Sequence, residues 1–282
     1  QVTTAQAVIG AAGTAGPWIK IEGYDIKPLA EAGNGGFTFS FYNRGFRPGT
    51  YYVQFANGAL TRHYYASFTI DAQDTWKRIN IHLPYLDVGN GAWNFTNGIG
   101  MYMRIWMALG AVVGNGTVDS WQATGVPPLG QTNALATTND YMELTGFMLY
   151  PGKEEREFVT RASSFAQELI LCQRYFEKSY DNGTNVGSVT FNGSFTCMWN
   201  SGNRPKTDIQ FKVEKRTSPV VLVWNPNSGA IGTLRTEIGP VDLPAGVDGT
   251  DIGTTSFKVF QSDLTGTYLN GAYGHFTSDA NL

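Results

Sequence analysis

A chain of 282 residues with 42% hydrophobic side chains can bury a sizeable core, as one large β domain or as two domains. Only 15% of its residues are charged, the net charge is −3 and no basic cluster stands out, which argues against nucleic-acid binding. No apolar run reaches the length of a membrane-spanning helix, and QVTTAQAVIG lacks the charged start and apolar core of a secretory signal.

The predicted elements are mostly strands. Phe37 to Tyr42 (FTFSFY) alternates aromatic and polar residues, the period of a half-buried strand. Pro48-Gly49 turns the chain into YYVQF, and Asn57-Gly58 is a hairpin signal before YYASFTI, Tyr64 to Ile70. Trp76, Ile79, Ile81 and Leu83 largely alternate. Gly98 to Leu109 (GIGMYMRIWMAL) is a long strand, and Tyr141 to Tyr150 alternates up to Pro151.

SSFAQELILCQRYFEKSYDNG, Ser163 to Gly183, breaks this pattern. Ser164 and Gln167 form a capping box, and Phe165, Leu169, Cys172 and Phe176 fall on one helical face. Asp181-Asn182-Gly183 would end the helix. Strands return as VGSVTF, SFTCMW, IQFKVE, PVVLVW and SFKVF, with turns such as Asn192-Gly193, Asn200-Ser201-Gly202 and Asn225-Pro226-Asn227.

The expected architecture is therefore all-β. It has an antiparallel jelly-roll or β-sandwich unit over 1–160, one connecting α-helix over 161–182, and a second, smaller β-sandwich unit over 183–282. The two cysteines, Cys172 and Cys197, fit either two buried free thiols or one disulfide.

The segment LTGFMLYPGKEEREFVTRASSFAQELILCQRYFEKSY resembles one found in bacteriophage and prophage tail-fibre-type structural proteins. The shared pattern falls on Glu168, Leu169, Cys172, Gln173, Arg174, Tyr175 and Phe176. VTTAQA, IEGYDI, FTFSFYNRGFRPGTYYVQFANG, YYASFTIDAQDTWKRINIHLP, NGIGMYMRIWMAL and the closing GHFTSDANL are similar to family segments too. The resemblance implies a virion protein assembled in the host cytoplasm. It would pair a carbohydrate-binding-module-like jelly roll, expected to lack the family's first strands through cleavage, truncation or a start upstream of Gln1, with a C-terminal tip. It also implies a homo-oligomer, typically a trimer, touching other virion tail proteins and bacterial surface polysaccharide. On that reading Phe165, Leu169, Cys172 and Phe176 dock on a sheet or a trimer axis, with Arg174 and Tyr175 at the junction.

Sugar recognition needs aromatic faces beside polar groups. Alternation places Met101, Met103, Ile105 and Met107 on one face and Tyr102, Arg104 and Trp106 on the other. That second stripe could line a sugar groove, pack on another unit or subunit, or be core. Trp93 and Trp121 sit in loop-like segments, as ligand contacts or as packing over the core edge. YLNGAYGHF, with Tyr268, Tyr273 and His275, reads as turns and aromatics suited to receptor contact or to packing, as do Trp199 and Trp224.

Catalytic signatures are lacking: there is no P-loop, G-x-S-x-G or H-E-x-x-H pattern. His63, His82 and His275 are far apart in sequence. Glu154, Glu155 and Glu157 form the one carboxylate cluster a glycosidase might use, and read as a solvated loop. No cofactor is expected. Asp71, Asp74, Asp87 and Asp119 could supply a structural calcium, but capping and turn roles suit them better. The expected function is non-enzymatic attachment to host surface glycans. The alternatives are a structural adaptor or decoration role, and a glycan-cleaving tail enzyme.

Overall fold

The computed structural model describes residues 1–31, 35–110, 116–199, 205–237, 241–243, 248–260 and 271–282. The predicted turn at 200–202, Tyr268 and the Trp199 side chain lie outside the described residues. The chain divides into two compact units, residues 1–159 with Leu282 and residues 160–281. Every ladder between strands, among the described residues, is antiparallel.

The first unit contains β1 (Thr14–Ala15), β2 (Trp18–Glu22), α1 (Gly23–Glu31), β3 (Phe37–Gly45), β4 (Gly49–Asn57) and β5 (His63–Ile70). It continues through β6 (Lys77–Leu83), β7 (Ile99–Ile105), β8 (Ala108–Leu109), β9 (Trp121–Gln122) and β10 (Met142–Pro151). A three-stranded sheet, β10-β3-β6, and a five-stranded sheet, β2-β7-β4-β5-β9, form a sandwich, beside a small β1-β8 pair. Their inner faces follow the strand period. Phe37, Phe39, Phe41, Ile79, Ile81 and Leu83 come from one sheet, and Tyr51, Val53, Phe55, Tyr64, Phe68, Met101, Met103 and Ile105 from the other. Phe39 meets Phe55 edge-on at 5.8 Å and Phe41 meets Phe68 at 5.3 Å, joining the sheets. Each such buried side chain contributes roughly 1.5–3 kcal/mol relative to exposure.

Two elements here are not apparent in the sequence. β2 forms the edge of the five-stranded sheet, and α1 follows it despite Pro28 within the helix. Ile26 and Leu29 of α1 are buried in the core. The helix sits so close to β7 that a Cβ on Gly100 would lie 2.6 Å from the Cα of Gly23. The long predicted strand 98–109 is interrupted after Ile105, where the Trp106 N–H bonds to the Tyr52 carbonyl instead.

The second unit contains α2 (Phe165–Gln173), β11 (Phe176–Lys178), β12 (Phe195–Trp199), β13 (Pro205–Gln210), β14 (Val220–Trp224) and β15 (Arg235–Thr236). β16 (Asp248–Thr250), β17 (Ser256–Phe260) and β18 (Gly271–Asp279) complete it. β18 is the organising strand and pairs with β11, β12, β14 and β15. Its sequence, GAYGHFTSD, reads as turns because of its glycines. A Cβ on Gly274, however, would sit 2.5 Å from Leu234 and 2.6 Å from Phe195. The glycine serves close side-chain approach, not a turn. VGSVTF, by contrast, forms no strand; Val189 and Phe191 are exposed in turn-rich chain.

The capping of α2 is as the sequence predicts. The Ser164 hydroxyl accepts from the Gln167 N–H, and the Gln167 side chain reaches back to the Ser163 N–H at 2.8 Å. Its length and packing are not. The helix ends at Gln173, because Phe176–Lys178 pairs with Thr277–Asp279 as a strand. No residue of α2 is buried: Phe165 is 72% exposed, Cys172 is exposed and Leu169 only half-buried. The predicted apolar stripe is therefore not buried against the described residues of its own unit. Phe176 is an exposed strand residue, and Arg174 caps the helix. The Tyr175 carbonyl accepts from the Ala280 N–H. Both cysteines are free, and only Cys197 is buried.

Candidate functional site

The five-stranded sheet has an outer face, opposite the core, and the site is built on it. Register aligns Trp18 (β2) with Arg104 (β7), Arg104 with Gln54 (β4), and Gln54 with Tyr65 (β5). These four side chains form one row across the sheet. Towards β5 the row is deeply buried: Gln54 Nε2 lies 2.9 Å from Tyr65 Oη and 3.0 Å from His63 Nδ1. His63 Nε2 lies 2.9 Å from the Leu60 carbonyl. Since a carbonyl can only accept, Nε2 carries the proton and Nδ1 accepts from Gln54. Burial lowers the pKa of His63 and raises that of Tyr65.

Residues 116–132 cover this buried half. Val118 bridges to Tyr65, Tyr52 Oη donates to the Leu129 carbonyl at 2.9 Å, and the Thr132 N–H bonds to the Thr50 carbonyl. At β2 the face opens. Trp18 is 46% exposed, and Tyr102 and Arg104 are half-buried.

Arg104 is the centre of the open half. Its guanidinium carbon lies 5.0 Å from the Trp18 ring centroid and 3.6 Å from that of Trp106. Trp18 in turn packs against Tyr102 at 5.0 Å. Nη2 donates to the Thr14 hydroxyl at 3.1 Å, while Nε is buried with no partner among the described residues. The Trp106 indole N–H and both amide atoms of Gln131 are likewise buried and unpartnered. Desolvation lowers the Arg104 pKa to about 10. Tyr102, Arg104 and Trp106 do share a face, but Trp106 is only 4% exposed and cannot itself meet a ligand. Its ring is the floor under the guanidinium. Trp18 is the residue absent from the sequence expectations; the alternation W-I-K-I-E, with Ile19 and Ile21 packed on the core, is the signal that carries it.

Against this geometry, comparison with known proteins adds little. No protein-family model and no curated protein matches the sequence. Among solved structures, recombinant discoidin II of Dictyostelium discoideum is 10% identical with a TM-score of 0.18, covering 89% of this chain and 76% of that one. Wild-type discoidin II of the same organism is 9% identical with a TM-score of 0.19, covering 97% and 78%. Scores this low define no shared fold in detail.

The other candidates fall elsewhere. Trp121 is a core residue, not a rim residue: it pairs in β9, packs on Tyr64 at 5.3 Å and donates to the Tyr85 carbonyl at 3.0 Å. Trp93 is half-buried and lines an open groove of about 610 Å³ with Asn94, Phe95 and Thr96. His275 is fully buried, stacked on Tyr180 at 3.8 Å and held between Ser179 and the Thr190 carbonyl, which removes it from ligand contact. Tyr273 is half-buried, its hydroxyl donating to Glu237 at 3.1 Å. Trp224 lines a second groove of about 520 Å³ in unit two, with Phe176, Leu222 and Asp279.

The predicted calcium ligands do not converge. Asp71 pairs with Lys77 and Asp87 with Arg62, and no group of three metal-ligating side chains forms among the described residues. Glu154, Glu155 and Glu157 are exposed, and Glu155 accepts from Asn80 at 3.0 Å. His82 is exposed, 3.3 Å from the Thr38 hydroxyl.

Proposed function

We propose that this chain is a non-enzymatic carbohydrate-binding protein that reads sugars on the open edge of its five-stranded sheet. The observation that carries this reading is the exposed Trp18 ring, flanked by Tyr102 and Arg104 on a rigid strand platform. A pyranose offers an apolar C–H face to stack on an indole, and hydroxyls that a guanidinium and a phenol can bond. Strand residues hold such a platform more rigidly than loops do.

On the sequence resemblance to tail-fibre-type proteins, this activity would serve a virion, as attachment to bacterial surface polysaccharide by a homotrimer. Weak single sites would then gain through multivalent display. The test is adsorption of the purified chain to host cells and to their extracted polysaccharide. Binding that Trp18→Ala abolishes, with folding intact by circular dichroism, supports the reading. Adsorption unchanged by Trp18→Ala defeats it.

A second reading, a structural adaptor, is favoured by the exposed apolar side chains of unit two, among them Phe165, Ile170, Met198 and Val220. Under that reading cryo-electron microscopy of the particle finds these residues covered by neighbouring chains and the Trp18 face buried.

A further inference from the structure

We infer that the sugar recognised at the Trp18–Arg104 platform is acidic, a carboxylated saccharide of the uronic or ulosonic acid class. This deepens the carbohydrate-binding reading and rests on it. The argument starts from charge. Arg44, Arg47, Arg62 and Arg235 each pair with a carboxylate. Arg104 pairs with none among the described residues, although it is half-buried and its neighbours are aromatic or neutral. A cation held out of water without a counter-charge is costly, and a fold rarely keeps one without use.

The hydrogen bonds point the same way. Arg104 Nε has no acceptor among the described residues, and Trp106, more than nine-tenths buried, lies beneath the guanidinium. The guanidinium thus keeps an unused donor, and an anion supplies acceptors. Trp106 beneath and Trp18 beside the guanidinium limit its rotation, so a bidentate geometry is preorganised at low entropic cost. The open Trp18 ring, 5.0 Å from the same guanidinium carbon, lets one sugar stack and present its carboxylate together. A neutral hexose would satisfy the stack and leave the charge uncompensated.

The experiment uses the full chain on an array of bacterial capsular and O-antigen polysaccharides, neutral and acidic. Every polymer bound is retested after carbodiimide–borohydride reduction of its carboxyl groups, which leaves the backbone and removes the charge. The inference expects acidic polymers among those bound, and binding at least tenfold weaker after reduction. Arg104→Gln should erase that difference and Arg104→Lys should restore part of it, with near-ultraviolet dichroism reporting an intact Trp environment. Equal binding before and after reduction, or binding confined to neutral polymers, overturns the acidic assignment while leaving carbohydrate recognition standing. Binding to no polymer overturns both.

Discussion

The guanidinium of Arg104 lies over the Trp106 ring, 3.6 Å from carbon to centroid, and its Nε has no acceptor among the described residues. Such an arrangement is poor for stability and good for binding, because an unpaired buried donor costs on the order of 1–3 kcal/mol until an acceptor arrives.

Arg104→Met should therefore separate the two properties. Methionine keeps the stem over Trp106 and drops the charge. Replacing a half-buried charge that has no counter-charge by an apolar side chain removes a desolvation cost, so the exchange should be neutral or mildly stabilising. Urea unfolding should show an unchanged or raised midpoint, alongside lost polysaccharide binding. An unfolding free energy lowered by more than about 1 kcal/mol would make Arg104 a structural residue.

Stability should fall as the pH drops below the ordinary histidine range. His63 and His275 are both buried, and burial holds both pKa values below 6.5. Both rings are neutral, with Nε2–H given to a carbonyl and Nδ1 accepting from Gln54 or Ser179. In the window between the folded pKa and 6.5 the unfolded chain binds more protons than the folded one. The full stability is present above 6.5 and declines as pH falls, by up to about 1.4 kcal/mol per pH unit for each group. Thermal melts between pH 8 and pH 5 should show the decline, and His63→Gln with His275→Gln should flatten it.

How far the sequence reached is clearest from these residues. The alternation of Phe37, Phe39 and Phe41, and of Met101, Met103 and Ile105, places the core because a strand buried on one face must alternate. The pairing of Tyr102, Arg104 and Trp106 on one face follows from the same period. Their exposure does not, since Trp106 is buried beneath the Arg104 guanidinium and nothing local announces that. Trp121 looks like a loop residue because β9 is only two residues long. β18 was hidden by glycines that serve packing, and α2 ends early because pairing with β18 outweighs helix periodicity at Phe176. Tertiary context decides each of these cases.

The two cysteines should report opposite environments. Cys172 is exposed on α2, whereas Cys197 is fully buried in the core of unit two, where burial pushes its thiol up to about 12. A thiolate is the reactive form, so Cys197 is doubly protected. Titration of the native protein with an aromatic disulfide reagent at pH 8 should release one equivalent quickly. The second should appear only at the rate of unfolding. Two fast equivalents, or none without reductant, would contradict the free and unequal thiols.

The last prediction concerns the strut behind α2. Lys215 is buried; its ammonium donates to Glu177 at 2.6 Å and to the carbonyl of Gln173, the last residue of the helix. Glu177 also accepts the Lys212 N–H through both oxygens at 3.2 Å. Burial pulls the Lys215 pKa below its ordinary value, and the Glu177 carboxylate opposes that. Lys215→Met alone leaves a buried carboxylate unpaired and should cost about 3–5 kcal/mol. Adding Glu177→Gln removes the stranded charge and should recover more than half of that loss. Because the helix makes no buried contact of its own, its amide protons should exchange faster in Lys215→Met than those of β18. Equal loss of protection in α2 and β18 would mean that the pair holds the whole unit rather than the end of the helix.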